Sequence, residues 1–253
     1  MARIITIVNQ KGGVGKTTTA INLSASLSFL GKRTLMIDTD TQGNTTSGMG
    51  FDKNELQNTI YEVLTHQCNI RDSVMHTDLE NLDIIGSNIN LAGASVELVN
   101  VPERERILKN ALKDIQDDYD FILIDSPPSL GLITLNNLTA AQSVLIPLQC
   151  EYFALEGMSE LLDTIFLVQK NLNPELTIEG ILMTMYDKRT NLSKQVVAEV
   201  KNYFGDKVYN TIIPRNVKLG EAPSFGKPSI LYSPESTGSQ SYMELAKEVI
   251  AHG

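Results

Sequence analysis

The segment that reads NQKGGVGKTTT, at residues 9–19, combines the residue types that bind phosphate groups. Its glycines allow backbone N–H groups to approach phosphate oxygens closely, and the N-terminus of a following helix would add partial positive charge. Lys16 would contact the β- and γ-phosphates of a nucleotide, and the Thr17 hydroxyl would bind Mg²⁺. The sequence therefore predicts a nucleotide-binding loop that consists of Gly12, Gly13, Val14, Gly15, Lys16, Thr17 and Thr18.

This segment departs from the usual P-loop pattern G-x-x-x-x-G-K-[ST], because Gln10 stands where the first glycine is expected. The G-K-T core and its neighbouring glycines are kept. A second lysine, Lys11, precedes them. One lysine is enough to hold the terminal phosphates, so Lys11 requires a separate role.

Two acidic motifs complete the prediction. The run DFILIDSPP at 120–128 ends an apolar strand in Asp125, typical of a Walker B carboxylate that holds Mg²⁺ through water. The run IDTDTQGNTTSG at 37–48 contains Asp38 and Asp40, and a carboxylate there can position the water that attacks the γ-phosphate. Asp40 is the candidate catalytic carboxylate and a further candidate for the metal shell. The alternative is that both aspartates are solvated turn residues.

Apolar, β-rich runs alternate with helical patterns along the chain. Strands are predicted at 3–9, 33–38, 82–87, 120–125, 143–148, 178–184 and 207–214, and helices at 19–31 and near 103–116, 154–170, 190–204 and 237–251. This alternation favours an α/β fold with a doubly wound, mostly parallel sheet flanked by helices on both faces. Ligands bind outside the carboxyl ends of the strands in such sheets. We expect a single domain over 1–253, because the candidate site residues run from Lys11 to Asn216.

The composition is that of a soluble globular protein, with 42% hydrophobic and 20% charged residues. No apolar run approaches the roughly 18 residues of a membrane span, and the run at 4–8 is too short for a signal-peptide core. We therefore expect a cytoplasmic protein. Cys68 and Cys150 lie far apart and the three histidines are scattered, which argues against a disulfide framework or a zinc site.

The charge is distributed unevenly. The formal net charge is −9, which argues against a protein that coats DNA with its whole surface. Residues 181–230, however, contain eight basic and four acidic side chains, an excess of 8 − 4 = +4 that leaves −13 on the remainder. The sequence therefore predicts one locally basic region.

Five segments, in order along essentially the whole chain, resemble the ParA/Soj family of chromosome- and plasmid-partitioning ATPases, which are deviant Walker A P-loop ATPases. They read KGGVGKTTTAINL, DTDTQGN, FILIDSPPSLG, IPLQCEYFALEG and IPRNVKLGEAPSFGKP. Lys11 matches the signature lysine that reaches across an ATP-bound sandwich homodimer to the phosphates of the other subunit, as an arginine finger does. Gly12 matches the glycine at the close dimer contact. Asp40 matches the hydrolysis carboxylate, and Asp125 matches Walker B.

The resemblance also implies ATP and Mg²⁺ as cofactors and adenine contacts at Pro214 and Asn216. It implies that the ATP dimer binds double-stranded DNA non-specifically, so that the protein is associated with the nucleoid. Arg189 and Lys218 match the DNA-contacting basic residues, and their neighbours Arg215 and Lys227 would join the same patch.

The family's hydrolysis is stimulated by a centromere-binding ParB-type partner, and some members act on the replication initiator DnaA, a role that the sequence leaves open. The chain departs from the family where Thr41 replaces the usual proline, which would loosen the loop that aims Asp40.

Three alternatives fit the sequence less well. A MinD-like membrane-cycling ATPase would end in a basic amphipathic helix, whereas SYMELAKEVIAHG looks like a packed terminal helix. A redox protein like the nitrogenase iron protein would need differently placed cysteines. A metabolic kinase would need a second pocket motif, and none is evident.

Overall fold

The computed structural model describes residues 1–151 and 157–252. Within them, eight strands form one sheet in the order β3-β4-β2-β5-β1-β6-β7-β8. The strands are β1 Arg3–Ile7, β2 Thr34–Asp38, β3 Val74–His76, β4 Leu82–Ile85, β5 Phe121–Asp125, β6 Ser143–Gln149, β7 Thr177–Tyr186 and β8 Val208–Pro214. Every pairing is parallel except that of β3 with β4. The predicted mostly parallel sheet is confirmed.

Helices cover both faces of this sheet. They are α1 Lys16–Phe29, α2 Asn44–Gly48, α3 Ile60–Leu64, α4 Leu91–Glu97, α5 Ile107–Leu112, α6 Leu132–Ala140, α7 Met158–Asn171, α8 Asn191–Phe204, α9 Val217–Glu221, α10 Ser229–Tyr232 and α11 Thr237–Ala251. One buried apolar cluster contains side chains of α3 to α8, and a second contains side chains of α1 and α11. The two clusters give the doubly wound arrangement that the sequence predicts. No helix in the described part of the chain is long and apolar enough to cross a membrane.

Several element boundaries differ from the prediction. α1 begins at Lys16 rather than at residue 19, because the phosphate-loop residues themselves start the helix. Gly31 ends it as predicted: it has a φ of 74°, and its N–H donates to the carbonyl of Ser28. The helix predicted near 103–116 is only the short α5, preceded by a 3₁₀ turn at Arg104–Arg106. The first residues of the helix predicted near 154–170, and most of the IPLQCEYFALEG segment's second half, lie outside the described residues.

The register of the central strands gathers the predicted site residues at one edge. Ile7 pairs with Asp125, and Asp38 also pairs with Asp125 across the neighbouring strands. The loop after β1, the acidic loop after β2 and the end of β5 therefore meet at the carboxyl edge of the sheet, as expected for this class of fold.

Candidate nucleotide-binding site

The loop between β1 and α1 has the backbone of a phosphate cradle. Gly13 and Gly15 have φ values of 75° and 95°, in the left-handed region that glycine adopts at little cost. A Cβ added at Gly12 or Gly13 would meet nothing within 4 Å, so the backbone lies open on this side. Asn9 anchors the start of the loop, because its Oδ1 accepts the N–H of Lys11 at 2.9 Å.

Lys16 is the first residue of α1 and is 7% exposed. Its Nζ donates to the carbonyl oxygen of Lys11 at 3.1 Å, so the ammonium group spans the loop. Burial lowers the pKa of Lys16, and the negative charges of Asp125 and Asp40 oppose that change. The lysine required for phosphate binding is thus placed inside the loop and beside both predicted carboxylates.

Asp125 lies at the end of β5 and is fully buried against two threonine hydroxyls. Its Oδ2 accepts from Thr17 Oγ1 at 2.9 Å and from Thr45 Oγ1 at 2.6 Å. Its Oδ1 is buried and has no hydrogen-bond partner among the described residues. Burial, together with the charge of Asp38, raises the pKa of Asp125 to about 7.

This arrangement fits Mg²⁺. The unpartnered carboxylate oxygen of Asp125 and the hydroxyl of Thr17 are hard oxygen donors of the kind that this cation binds. Within residues 1–151 and 157–252, no group of three or more His, Cys, Asp or Glu side chains could hold a metal ion. A magnesium ion here would therefore need water and phosphate oxygens to complete its coordination shell, as is typical of Mg²⁺ at nucleotide sites.

Asp38 and Asp40 differ sharply in environment. Asp38 is buried, and its carboxylate accepts from the N–H and hydroxyl of Thr46 at 2.9 and 2.7 Å and from the N–H of Asp40 at 3.0 Å. Burial raises its pKa to about 6. It is therefore not a solvated turn residue but a fixed anchor of the loop. Asp40 is only half-buried, and its Oδ1 accepts the N–H of Gln42 at 3.0 Å.

The loop holds Asp40 without a proline at position 41. The N–H of Gly43 donates to the carbonyl of Asp40 at 2.9 Å, and Lys53 Nζ donates to the carbonyl of Gln42 at 2.5 Å. Gly43 has a φ of 58°, and a Cβ there would lie 2.6 Å from the carbonyl oxygen of Ser87. None of these contacts uses the side chain of Thr41.

A cavity of about 250 Å³ opens beside the loop. Its lining includes Gly15 and Thr18 from the phosphate loop, Thr184 from β7, and the predicted Pro214 and Asn216. The amide of Asn216 is engaged in the protein: Oδ1 accepts the N–H of Lys218 at 2.8 Å, and Nδ2 donates to Thr237 Oγ1 at 2.8 Å. The cavity joins the phosphate loop directly, as a base pocket must.

A second, larger groove of about 650 Å³ contains two of the four predicted DNA-binding residues, Arg189 and Arg215. Arg189 makes a two-point ion pair with Asp187, with Nη2 to Oδ2 at 2.7 Å, and this pair holds the pKa of Asp187 well below its usual range. Arg215 lies 3.9 Å from Glu151. Both cations are exposed but have nearby carboxylates.

The other two predicted DNA-binding residues lie outside the lining of this groove. Lys218 on α9 pairs with Glu221 at 2.8 Å and lies over the ring of Tyr232. Lys227 follows a 3₁₀ turn, beside Gly226, which packs closely on Gly50. The structure thus brings Arg189 and Arg215 together and leaves Lys218 and Lys227 on neighbouring segments.

The predicted dimer residues lie at the rim of the loop. The Lys11 side chain runs along the backbone of Gly157 in its own chain, since a Cβ at Gly157 would come within 3.0 Å of Lys11 Cε. Gln10 Nε2 donates to the carbonyl of the same glycine at 2.9 Å. Gly12 is exposed, with open space above it.

Sequence reasoning missed three residues that shape the site. Thr45 lies inside the acidic motif, but nothing in its polar neighbourhood indicated a contact with Asp125, 80 positions away. Asn137 on α6 donates to Thr39 Oγ1 at 2.8 Å and to Ser126 Oγ at 2.9 Å, but α6 itself was not predicted. Thr184 ends an apolar run at the carboxyl edge, the same signal that identified Asp125.

Comparisons with known proteins agree with this geometry. A family model described as an AAA domain matches residues 2–178. The chain is 57% identical to the sporulation initiation inhibitor protein Soj of Bacillus subtilis, over 100% of both chains. It is 54% identical to the chromosome partitioning protein ParA of Myxococcus xanthus, over 99% of this chain and 88% of that protein.

A solved structure with the same fold is cobyrinic acid a,c-diamide synthase from Mycobacterium smegmatis with bound ATP analog and magnesium. It is 38% identical, with a TM-score of 0.89 over 100% of this chain and 96% of that one. The fold is therefore that of the P-loop ATPases. The two relatives match over almost their whole length and carry partitioning or Soj names. The chain belongs to the ParA/Soj family of chromosome-partitioning ATPases.

Proposed function

We propose that this protein is an ATP-dependent DNA-partitioning ATPase with ATP and Mg²⁺ as cofactors. An ATP-bound sandwich dimer binds double-stranded DNA non-specifically, and hydrolysis, stimulated by a ParB-type partner, releases it. The protein then acts on the nucleoid within the cytoplasm, in chromosome or plasmid segregation. The replication initiator DnaA is a further candidate partner.

The main support for this proposal is that the cavity beside the phosphate loop and the groove that contains Arg189 have two lining residues in common. Pro214 and Arg215 line both the cavity beside the phosphate loop and the groove that contains Arg189. A bound base would therefore touch the same short segment that presents a DNA-binding cation. Any shift of this segment on nucleotide binding would move Arg215 relative to Arg189, which is a physical route from nucleotide state to DNA affinity.

The site residues divide the hydrolysis reaction among them. Lys16 and the loop amides hold the phosphates, and Thr17 and Asp125 hold Mg²⁺, which neutralises developing charge when bound. Asp40, at the half-exposed rim, orients the attacking water and accepts its proton. Lys11 from the partner subunit adds positive charge to the phosphates, so closure of the dimer depends on ATP.

Dimer formation also explains how a protein of net charge −9 could hold DNA. If each subunit neutralises about three or four phosphates, the dimer makes roughly six to eight contacts, and its affinity falls at least about a thousandfold between about 50 and 200 mM salt. A monomer with half the contacts binds far more weakly. The nucleotide state thus gates DNA binding.

The decisive experiment measures binding to a random-sequence duplex with ATP, with ADP and without nucleotide, across a salt titration. We expect binding that needs ATP, falls steeply with salt and persists in Asp40→Ala. ATP-dependent dimers that bind no DNA in any state would contradict the proposal.

The MinD-like alternative receives no support from the terminal helix. The apolar side chains of α11, including Tyr242, Leu245 and Val249, are buried in the core beside α1. This helix would have to leave its packing site to enter a membrane surface. A flotation assay with anionic liposomes and ATP, in which we expect no binding, checks this point.

A further inference from the structure

Thr184 connects the sheet to the phosphate loop. It lies near the carboxyl end of β7 and is 2% exposed. Its Oγ1 donates to the carbonyl oxygen of Val14 at 2.8 Å, a contact between residues 170 positions apart. Its methyl carbon, Cγ2, lies 3.8 Å from the position that a Cβ of Gly15 would occupy. One side chain therefore both holds and packs against the Val14–Gly15 peptide.

The geometry of a trans peptide gives this contact a consequence. The carbonyl of Val14 and the N–H of Gly15 belong to the same planar unit and point in opposite directions. Because Thr184 holds the carbonyl towards β7, the N–H of Gly15 is directed away from β7. Gly15 has a φ of 95° and no side chain to restrict it, so this peptide could otherwise rotate readily.

Thr184 also faces the cavity beside the loop. It lines this cavity together with its neighbour Met185, which has a φ of 52°, a conformation that is uncommon for a residue other than glycine. The end of β7 is thus a constrained segment that borders the base cavity on one side and the phosphate loop on the other.

We propose that Thr184 is a positioning residue that fixes the Val14–Gly15 peptide so that the Gly15 N–H is preset to bind a nucleotide phosphate. This inference rests on the proposed nucleotide-binding role of the loop. Preorganised amide donors bind a phosphate without first reorienting, so loss of the hydroxyl should weaken phosphate binding specifically. The base, which most of the cavity lining contacts independently of this hydroxyl, should lose much less affinity.

The test compares Thr184→Val with Thr184→Ser. Valine keeps the shape and removes the donor, which leaves the buried Val14 carbonyl without its partner, whereas serine keeps the hydroxyl. Isothermal titration should show ATP and ADP affinity reduced roughly tenfold in Thr184→Val and within about twofold of wild type in Thr184→Ser. Adenosine affinity should change by less than about twofold in both variants, since valine and serine alter little of the surface that Thr184 contributes to the cavity. Thr177→Val, on the exposed start of the same strand, is the matched control and should bind all three ligands normally.

Wild-type affinity for ATP in Thr184→Val, or an equal loss for ATP and adenosine, would overturn the proposal. Absence of ATP binding in the wild type would instead overturn the proposed function of the loop. If Thr184→Val does not fold, NMR spectra of the wild type and of Thr184→Ser, each labelled with ¹⁵N-glycine, still test the inference. Titration with inorganic pyrophosphate should shift the Gly15 amide resonance strongly downfield in the wild type and in Thr184→Ser, and an unmoved Gly15 resonance would contradict the inference.

Discussion

The carboxyl edge of the central strands and the groove around Arg189 differ in how their charged groups are held. At the central edge, Asp38 and Asp125 are buried and fixed by threonine hydroxyls at 2.6–2.9 Å. In the groove, Arg189 and Arg215 are exposed and pair with Asp187 and Glu151 on the surface. The first region depends on positions set by the fold, and the second depends on charges that solvent and salt can screen.

This difference predicts how strongly a single substitution in each region should affect the protein. A buried carboxylate with a fixed donor set tolerates little change, because each lost hydrogen bond leaves an unpaired group in a low-dielectric site. An exposed cation contributes mainly through its number and its reach to phosphate, so single replacements should act in small, additive steps. Substitutions at the central edge should therefore have larger effects than substitutions of the cations in the groove.

The largest effect is expected for Asp40 and ATP hydrolysis. Asp40→Asn keeps an oxygen for the N–H of Gln42 but removes the base, so hydrolysis should fall by about 10²- to 10⁴-fold. ATP-dependent dimerisation should persist, because Lys16, Thr17 and the loop amides that hold the phosphates are unchanged. Single-turnover phosphate release and sedimentation with ATP measure the two properties. Unchanged hydrolysis in Asp40→Asn would remove Asp40 from the reaction.

A large effect on stability is expected at Gly43. Gly43→Ala places a Cβ 2.6 Å from the carbonyl oxygen of Ser87 in a left-handed backbone, and should lower the free energy of unfolding by about 3 kcal/mol. Gly31→Ala is the matched control. Its φ is 74° but nothing lies within 4 Å, so it should cost only about 1 kcal/mol. Urea unfolding of both variants measures this difference. Equal losses in the free energy of unfolding would show that the contact with Ser87 does not destabilise Gly43→Ala.

A pH effect follows from the buried carboxylates in the magnesium- and nucleotide-free protein. The pKa values of Asp38 and Asp125 are raised to about 6 and about 7, above their unfolded values. The folded state therefore binds more protons, and its stability is lost as the pH rises through these values. From these two pKa values we expect the free energy of unfolding to fall by about 4 kcal/mol between about pH 5 and 7.5.

Urea unfolding across this pH range measures the effect. Asp125→Asn, which carries no charge at either pH, should flatten the profile. A stability that instead rises steadily through this range in the wild type would show that the two carboxylates are not protonated together with folding.

The smallest effects are expected at the surface cations. Lys218 and Lys247 are matched, because each is exposed and pairs with a glutamate three residues away, at 2.8 and 2.7 Å. Lys218→Ala should weaken ATP-dependent DNA binding several-fold and reduce the salt slope by about 0.9, the value for one lost phosphate contact. Lys247→Ala should change neither. Fluorescence anisotropy at several salt concentrations makes the comparison, and equal behaviour of the two variants would remove Lys218 from the DNA surface.

The sequence was sufficient for the central edge because its signals are local. A glycine-rich loop between a strand and a helix, and apolar strands that end in aspartate, fix both the fold class and the position of Lys16, Thr17 and Asp125. The strand β3 escaped prediction because three residues at a sheet edge show no periodicity, and the contacts of Thr184 with Val14 and of Asn137 with Thr39 join distant segments. Charge counting found the basic region but could not show that Asp187, Glu151 and Glu221 stand beside its cations.

The central claim is that the nucleotide site and the groove that contains Arg189 are coupled through the segment that contains Pro214 and Arg215. Coupling between binding sites is reciprocal, so DNA must tighten ATP binding by the same factor by which ATP tightens DNA binding. The direct measurement is the affinity of hydrolysis-deficient Asp40→Ala for ATP, with and without a saturating duplex. The account predicts that the duplex raises ATP affinity by this factor. An ATP affinity that the duplex leaves unchanged would contradict it.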